Sequence, residues 1–264
     1  MDSAKRKCQI KWKKAFTLIE LSIVMAIIGL IVSGIVSGKN LVRNAQLRSI
    51  ISDYQMLDIA VSSFKGNYGQ LPGDFDDAYA IWGSNCSSAA SSCNGNNDWI
   101  IRIDGGPSTR QEGYMSFKHL NLAGLIPGAY TGSSSLSNSE STPGVNSMAG
   151  KLPDSEWMVA NTYIGGLYDN NAIHLGRHHS WQSSFNEVVL LTPGEANSID
   201  AKMDDGKPQI GLVHGATGIL VGSTAGTYAS NCYTGTSAAA TYVFSALTVE
   251  CVIQFRMTAS PLKF

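Results

Sequence analysis

Proline is missing from the first 71 residues, so nothing there breaks a long helix. Formal charge is missing from Leu21 to Gly38, which excludes a solvated helix over that stretch. The short signatures of common enzymes are missing too: there is no GxSxG, no GxxxxGK[ST], no HExxH, and no nucleophile set beside a base. No internal repeat is present. These absences point away from an enzyme. Positive charge is scarce after the start of the chain. Residues 1–15 hold Lys5, Arg6, Lys7, Lys11, Lys13 and Lys14 against one acid, Asp2, and the rest of the chain carries a net −6. A body that acidic is a poor electrostatic partner for nucleic acid, and none is expected.

What is present starts at the N-terminus. The basic segment runs into an apolar stretch beginning at Phe16 and interrupted by one acid, Glu20. As a helix, the eighteen uncharged residues from Leu21 to Gly38 span about 27 Å, against a hydrocarbon core of about 30 Å. The preceding positive charges predict a cytoplasmic N-terminus and an exported body. Val36-Ser37-Gly38 offers a small-residue cleavage site. The apolar run, however, exceeds the usual length of a signal peptide and contains a carboxylate. Beyond it, Leu47, Ile50, Tyr54, Leu57, Val61 and Phe64 follow at alternating spacings of three and four, one apolar stripe on a helix. The pattern predicts a single helix from Phe16 to about Lys65, first apolar nearly all round, then amphipathic and seeking one sheet to cover its stripe.

Lys13-Lys14-Ala15-Phe16-Thr17-Leu18-Ile19-Glu20-Leu21 resembles the processing motif of type IV prepilins and type II secretion pseudopilins. The resemblance implies cleavage by a prepilin peptidase between Ala15 and Phe16 and methylation of the new Phe16 amine. It also gives Glu20 a role in assembly, meeting that amine on a neighbouring subunit inside a filament. The family's usual residue before the cut is glycine; here it is Ala15. The expected organisation is a cytoplasmic leader over 1–15, a transmembrane half-helix over 16–38, an amphipathic half over 39–67 and an exported pilin-like domain over 68–264. The implied partners are other pilin or pseudopilin subunits, the peptidase, the inner membrane and a pilus or secretion assembly platform. The implied location is the bacterial inner membrane, single pass, with the body periplasmic, and a periplasmic or extracellular filament after assembly.

The body reads as α+β with an antiparallel sheet. Helices are predicted at 76–82, 112–126 and 193–204. The last has Thr192 as N-cap, Pro193 at the first helical position and Glu195 closing a capping box. Strands are predicted at 158–164, 172–176, 187–192, 209–214, 218–223 and 242–257, the last as one strand or two, with Gly215-Ala216-Thr217-Gly218 as a hairpin turn. Three Ser/Gly/Asn-rich stretches, 83–97, 131–151 and 223–241, read as loops. Leu71-Pro72-Gly73-Asp74, His119-Leu120 with Ala123-Gly124-Leu125-Ile126, and Ile199 through Gly206 resemble a large-bodied subgroup of prepilin-type proteins.

Cys8 lies in the leader. Cys86, Cys93, Cys232 and Cys251 lie in the exported part, where disulfides persist. Four cysteines allow three pairings. Cys86–Cys93, clipping one loop, and Cys232–Cys251, tying another to the last strand, are the favoured set over free thiols. A disulfide near the C-terminus also resembles pilins. Asp200, Asp204 and Asp205 are calcium candidates, against an exposed helix face as the simpler reading; no other cofactor is expected. Asn94, Asn96 and Asp98 have alternating ligand spacing but lack the glycine a calcium loop needs. His174, His178 and His179 read as a polar loop. The resulting expectation is a structural filament subunit. The alternatives are a low-copy minor or tip subunit with an adhesive role, and a membrane-anchored periplasmic binding domain that does not polymerise.

Overall fold

The computed structural model describes residues 17–103, 111–133, 141–161, 171–178, 188–218 and 229–259. These fall into two compact units, one ending at Ala45 and one from Gln46 onward. The helix α1, Leu18–Tyr68, contributes to both.

In the first unit every helical position from Leu18 to Val42 is exposed, Leu18 at 88% and Leu30 at 77%. Among the described residues nothing covers this apolar surface.

The second unit is α+β. A five-stranded antiparallel sheet has the order β1-β2-β3-β7-β4, built from β1 (Met148–Ala149), β2 (Ser155–Ala160), β3 (Ala172–Arg177), β4 (Val213–Thr217) and β7 (Cys251–Arg256). A small hairpin pairs β5 (Tyr233–Thr234) with β6 (Thr241–Tyr242). The helices α2 (Ala78–Trp82), α3 (Glu112–Leu122) and α4 (Pro193–Met203) complete it. All six stripe residues of α1, with Ala60 between them, are buried. Tyr54 stacks on Phe255 of β7 at 4.4 Å, and its hydroxyl donates to the Arg256 carbonyl at 3.0 Å. One and three turns further along, Asp58 accepts from the Thr258 amide and hydroxyl, and the Lys65 ammonium donates to the Ala259 carbonyl. Apolar packing and a polar ladder thus hold the same helix face to β7 and the residues that follow it.

The α4 start has the predicted capping box: Glu195 N donates to Thr192 Oγ1 at 3.3 Å, and Thr192 N donates to Glu195 Oε2 at 2.9 Å. Thr192→Ala is expected to lower body stability by about 1 kcal/mol, read as a shift in the urea midpoint at unchanged slope.

Several local expectations are corrected. The segment Gly215-Ala216-Thr217 is strand, not turn. Gly215 stands in β4 because the Tyr242 ring lies where a Cβ would be, 2.4 Å from Cε1. Residues 209–212 precede β4, and 219–223 lie outside the described residues. From 188 to 192 there are only single bridges, Val188 to Arg177 and Leu191 to Cys251. β2 ends at Ala160, and 162–164 lie outside the described residues. α2 and α3 are shorter than expected, and 242–257 divides into β6 and β7 around a loop. The presumed loops are partly ordered, with short 3-10 turns at Gly83–Asn85, Ala90–Ser92 and Ser237–Ala239.

Candidate functional site

The first unit offers an apolar helix with one carboxylate at its head. Thr17 precedes α1 and Glu20 stands in its first turn. The Thr17 amide and hydroxyl each donate to Glu20 Oε2 at 2.8 Å, and the Glu20 amide donates back to Thr17 Oγ1 at 3.3 Å. This is a capping box, and it places a negative charge at the positive end of the helix dipole. Sequence reasoning treated Glu20 as a lone charge and missed the box, although Thr17-Leu18-Ile19-Glu20 carries the same signal that located the start of α4. The other polar side chain nearby, Ser22, donates to the Ile19 carbonyl at 2.8 Å. All three capping bonds spare Oε1. Ala15 and Phe16 lie outside the described residues.

In the second unit, two of the three body motifs meet. The Gly73 amide donates to His119 Nδ1 at 3.0 Å, and His119 Nε2 lies 3.0 Å from the Cys93 carbonyl. Accepting at Nδ1 fixes the proton on Nε2, which donates to Cys93. The imidazole is fully buried, and desolvation holds it down at about 4, neutral in the folded protein. Cys93 is disulfide-bonded to Cys86, with Cα atoms 5.7 Å apart; Cys232 is bonded to Cys251 at 5.0 Å. Cys86, Cys93 and His119 are close enough to suggest a metal centre. With both ring nitrogens engaged and the sulfurs joined, the group is a structural brace instead.

Asp74 is fully buried. Its carboxylate accepts the amides of Trp99 at 2.7 Å and Asp98 at 3.2 Å, while its carbonyl accepts Asn97 N at 3.0 Å. Asn97 and Trp99 both have positive φ, 57° and 65°, so the carboxylate anchors a backbone that non-glycine residues rarely adopt. Gly73 (φ +86°) is required here: a Cβ would come within 2.1 Å of the Glu112 carbonyl oxygen.

Asp200, Asp204 and Asp205 each bring one carboxylate oxygen within 4.8 Å of the others. The expectation of an exposed face holds for Asp204 and fails for Asp200, which is fully buried. Asp200 accepts from Gly206 N at 3.0 Å and from the Tyr242 hydroxyl at 2.8 Å; desolvation pushes it up to about 6. Asp204 accepts from the Leu212 amide. Oxygen donors suit calcium, and the same oxygens also tie the end of α4 to the loop before β4.

The polar-loop reading fails for His174. His174 is buried in β3, with Nε2 3.1 Å from the Ala160 carbonyl, and is held down at about 4 by desolvation. His178 follows the strand, and His179 lies outside the described residues. Asn94 accepts from Tyr79 N and so caps the start of α2, and Asn96 donates to Asp98 within its own turn. Serine hydroxyls meet a carboxylate at Glu156, which accepts from Ser141 at 2.6 Å and Ser147 at 2.8 Å. Both hydroxyls direct their protons to the acid, an arrangement that orders a core and does not activate a nucleophile.

Residues 13–36 match the model of the prokaryotic N-terminal methylation motif, the signature of type IV prepilins and pseudopilins. No curated protein and no solved structure matches the chain.

Proposed function

We propose that this chain is a structural subunit of a type IV pilus or a type II secretion pseudopilus. The observation that carries the reading is the methylation motif at residues 13–36, which heads an apolar helix exposed from Leu18 to Val42. A peptidase at the cytoplasmic face removes residues 1–15 after Ala15 and methylates the amine of Phe16. The apolar half of α1 stays in the inner membrane until assembly, then exchanges lipid for the helices of neighbouring subunits. Contacts there come from close packing at small residues such as Gly29 and Ser33, because lipid tails are as apolar as the helix. Glu20 pairs with the Phe16 amine of a neighbour, so that two charges neutralise one another away from water and fix the register.

The body faces outward and performs no chemistry. Its two disulfides fit an exported location. The acidic cluster at the end of α4 is the place where calcium would bind, and chelator-sensitive melting would report it.

The mature N-terminus tests the reading. Mass spectrometry is expected to find a chain beginning with N-methyl-Phe16. A chain beginning at Lys39 would make it an ordinary secreted protein, and an intact Met1 would make it a plain membrane anchor.

A further inference from the structure

Glu112 opens α3 and takes no part in the assembly just described. It is 2% exposed. Oε2 accepts the Arg102 amide at 3.0 Å, and the Gly113 amide donates to the Arg102 carbonyl at 3.1 Å, so a pair of bonds joins position 102 to the first turn of α3. No donor among the described residues reaches Oε1. Among the described residues, the charged groups facing it are Asp74, from the turn after α1, and Asp98 and Arg102, from the segment that leads up to it. The one cation among them is already committed, since the Arg102 guanidinium contacts Asp98. Asp74 in turn holds the amides of Asp98 and Trp99, and Gly73 abuts the Glu112 carbonyl. The Gly73–Asp74 turn, residues 97–102 and the start of α3 therefore close into a ring of contacts around three carboxylates and one arginine.

A neutral Glu112 adds no charge to this ring. An ionised one adds a third negative charge in a nearly dry position, where no described donor meets its second oxygen. We propose that Glu112 is a protonation-operated latch, closing the ring of residues 73–74, 97–102 and 112–113 when it carries a proton and loosening it when ionised.

Desolvation first, with the Asp74 and Asp98 charges adding to it, pushes the Glu112 carboxyl up from 4.5 to about 7, against the lowering effect of the Arg102 amide. Below about 4.5 both folded and unfolded chains are protonated there. As pH rises towards 7 the unfolded chain loses that proton while the folded one keeps it, so stability from this group falls across that window and stays low above it. The operating range thus lies between a mildly acidic and a mildly alkaline exterior.

Hydrogen exchange on the full-length protein in detergent micelles, corrected for intrinsic rates, tests this at pH 5.5 and 8.5. Peptides covering 97–102 and 112–116 are expected to lose protection by about tenfold or more at the higher pH, while β7 does not change. Glu112→Gln keeps the carbonyl acceptor for Arg102 and removes the titration, so it is expected to show no such loss. An equal pH response in wild type and Glu112→Gln, or no response in wild type, would overturn the proposal. A carboxyl-carbon NMR titration of the unmutated protein gives an independent answer: a Glu112 midpoint at the ordinary glutamate value would overturn it even if the variant fails to fold.

Discussion

Replacing Glu20 by alanine is expected to leave cleavage after Ala15 intact and to abolish filament formation. A charged side chain at the centre of a membrane helix costs about 2.5–3.5 kcal/mol on insertion scales. Glu20 sits near the helix start, where Thr17 supplies two hydrogen bonds to Oε2 and the helix dipole favours the charge. The single subunit therefore already has its carboxylate engaged, and losing that cap is a small loss in a 51-residue helix. In the proposed filament the balance changes. An amine buried beside alanine instead of a carboxylate is an uncompensated charge, and breaking a buried pair in this way costs about 3–5 kcal/mol at each repeated contact. The measurement is the mass of the processed chain together with the yield of sheared filaments. Glu20→Gln separates the two roles, because its amide oxygen can still accept from Thr17. If Glu20→Gln assembles normally, the capping box and not the charge is what the filament uses. Normal filaments from Glu20→Ala would end the assembly role altogether.

Phe64→Ala is expected to destabilise the body by about 3–5 kcal/mol, a large share of the roughly 5–15 kcal/mol that holds a domain together. The ring is fully buried. Its centroid lies 4.5 Å from Tyr68, 5.9 Å from Phe75, 6.2 Å from Trp82 and 6.1 Å from His119. Those four come from α1, the turn after it, α2 and α3, so one side chain sits where four segments meet. Truncation removes the transfer energy of the ring, leaves a cavity that four rings cannot easily fill, and loosens the imidazole that joins Gly73 to the Cys93 carbonyl. Urea unfolding followed by tryptophan fluorescence reads the loss. A change under 1 kcal/mol would show that the cluster relaxes into the gap and is not the keystone of this end of the body.

Periodicity and capping made the local features legible. The six-residue stripe from Leu47 to Phe64 is buried, Tyr54 against the sheet and Phe64 in the aromatic cluster, and the Thr192–Glu195 box starts α4, because each is written within a few residues of itself. What the sequence hid depends on distant partners. Nothing around Gly215 announces that the Tyr242 ring will occupy its side-chain space, so a glycine serving close approach reads as a turn. Asp200 looks like a surface acid until the Tyr242 hydroxyl arrives from 42 residues away. The meeting of Gly73 with His119 joins positions 46 apart, and neither shows a local pattern that predicts it. At Glu20 the signal is local, since Thr17 stands three residues before it as Thr192 stands before Glu195.

The position of β7 sets a clock. It comes after β3 and β4 in the chain yet lies between them in the sheet. In the proposed topology the body crosses the membrane progressively from its N-terminal end, so both flanking strands emerge before the strand that joins them. Until residues 251–256 arrive, their facing edges are bare and Cys232 has no Cys251 to meet. At about 5–20 residues per second that interval lasts a few seconds. Because closing the sheet needs such long-range pairing, it comes last. The chain consequently remains threadable through an export channel almost to completion, and then locks in one step when its final strand slides into the gap.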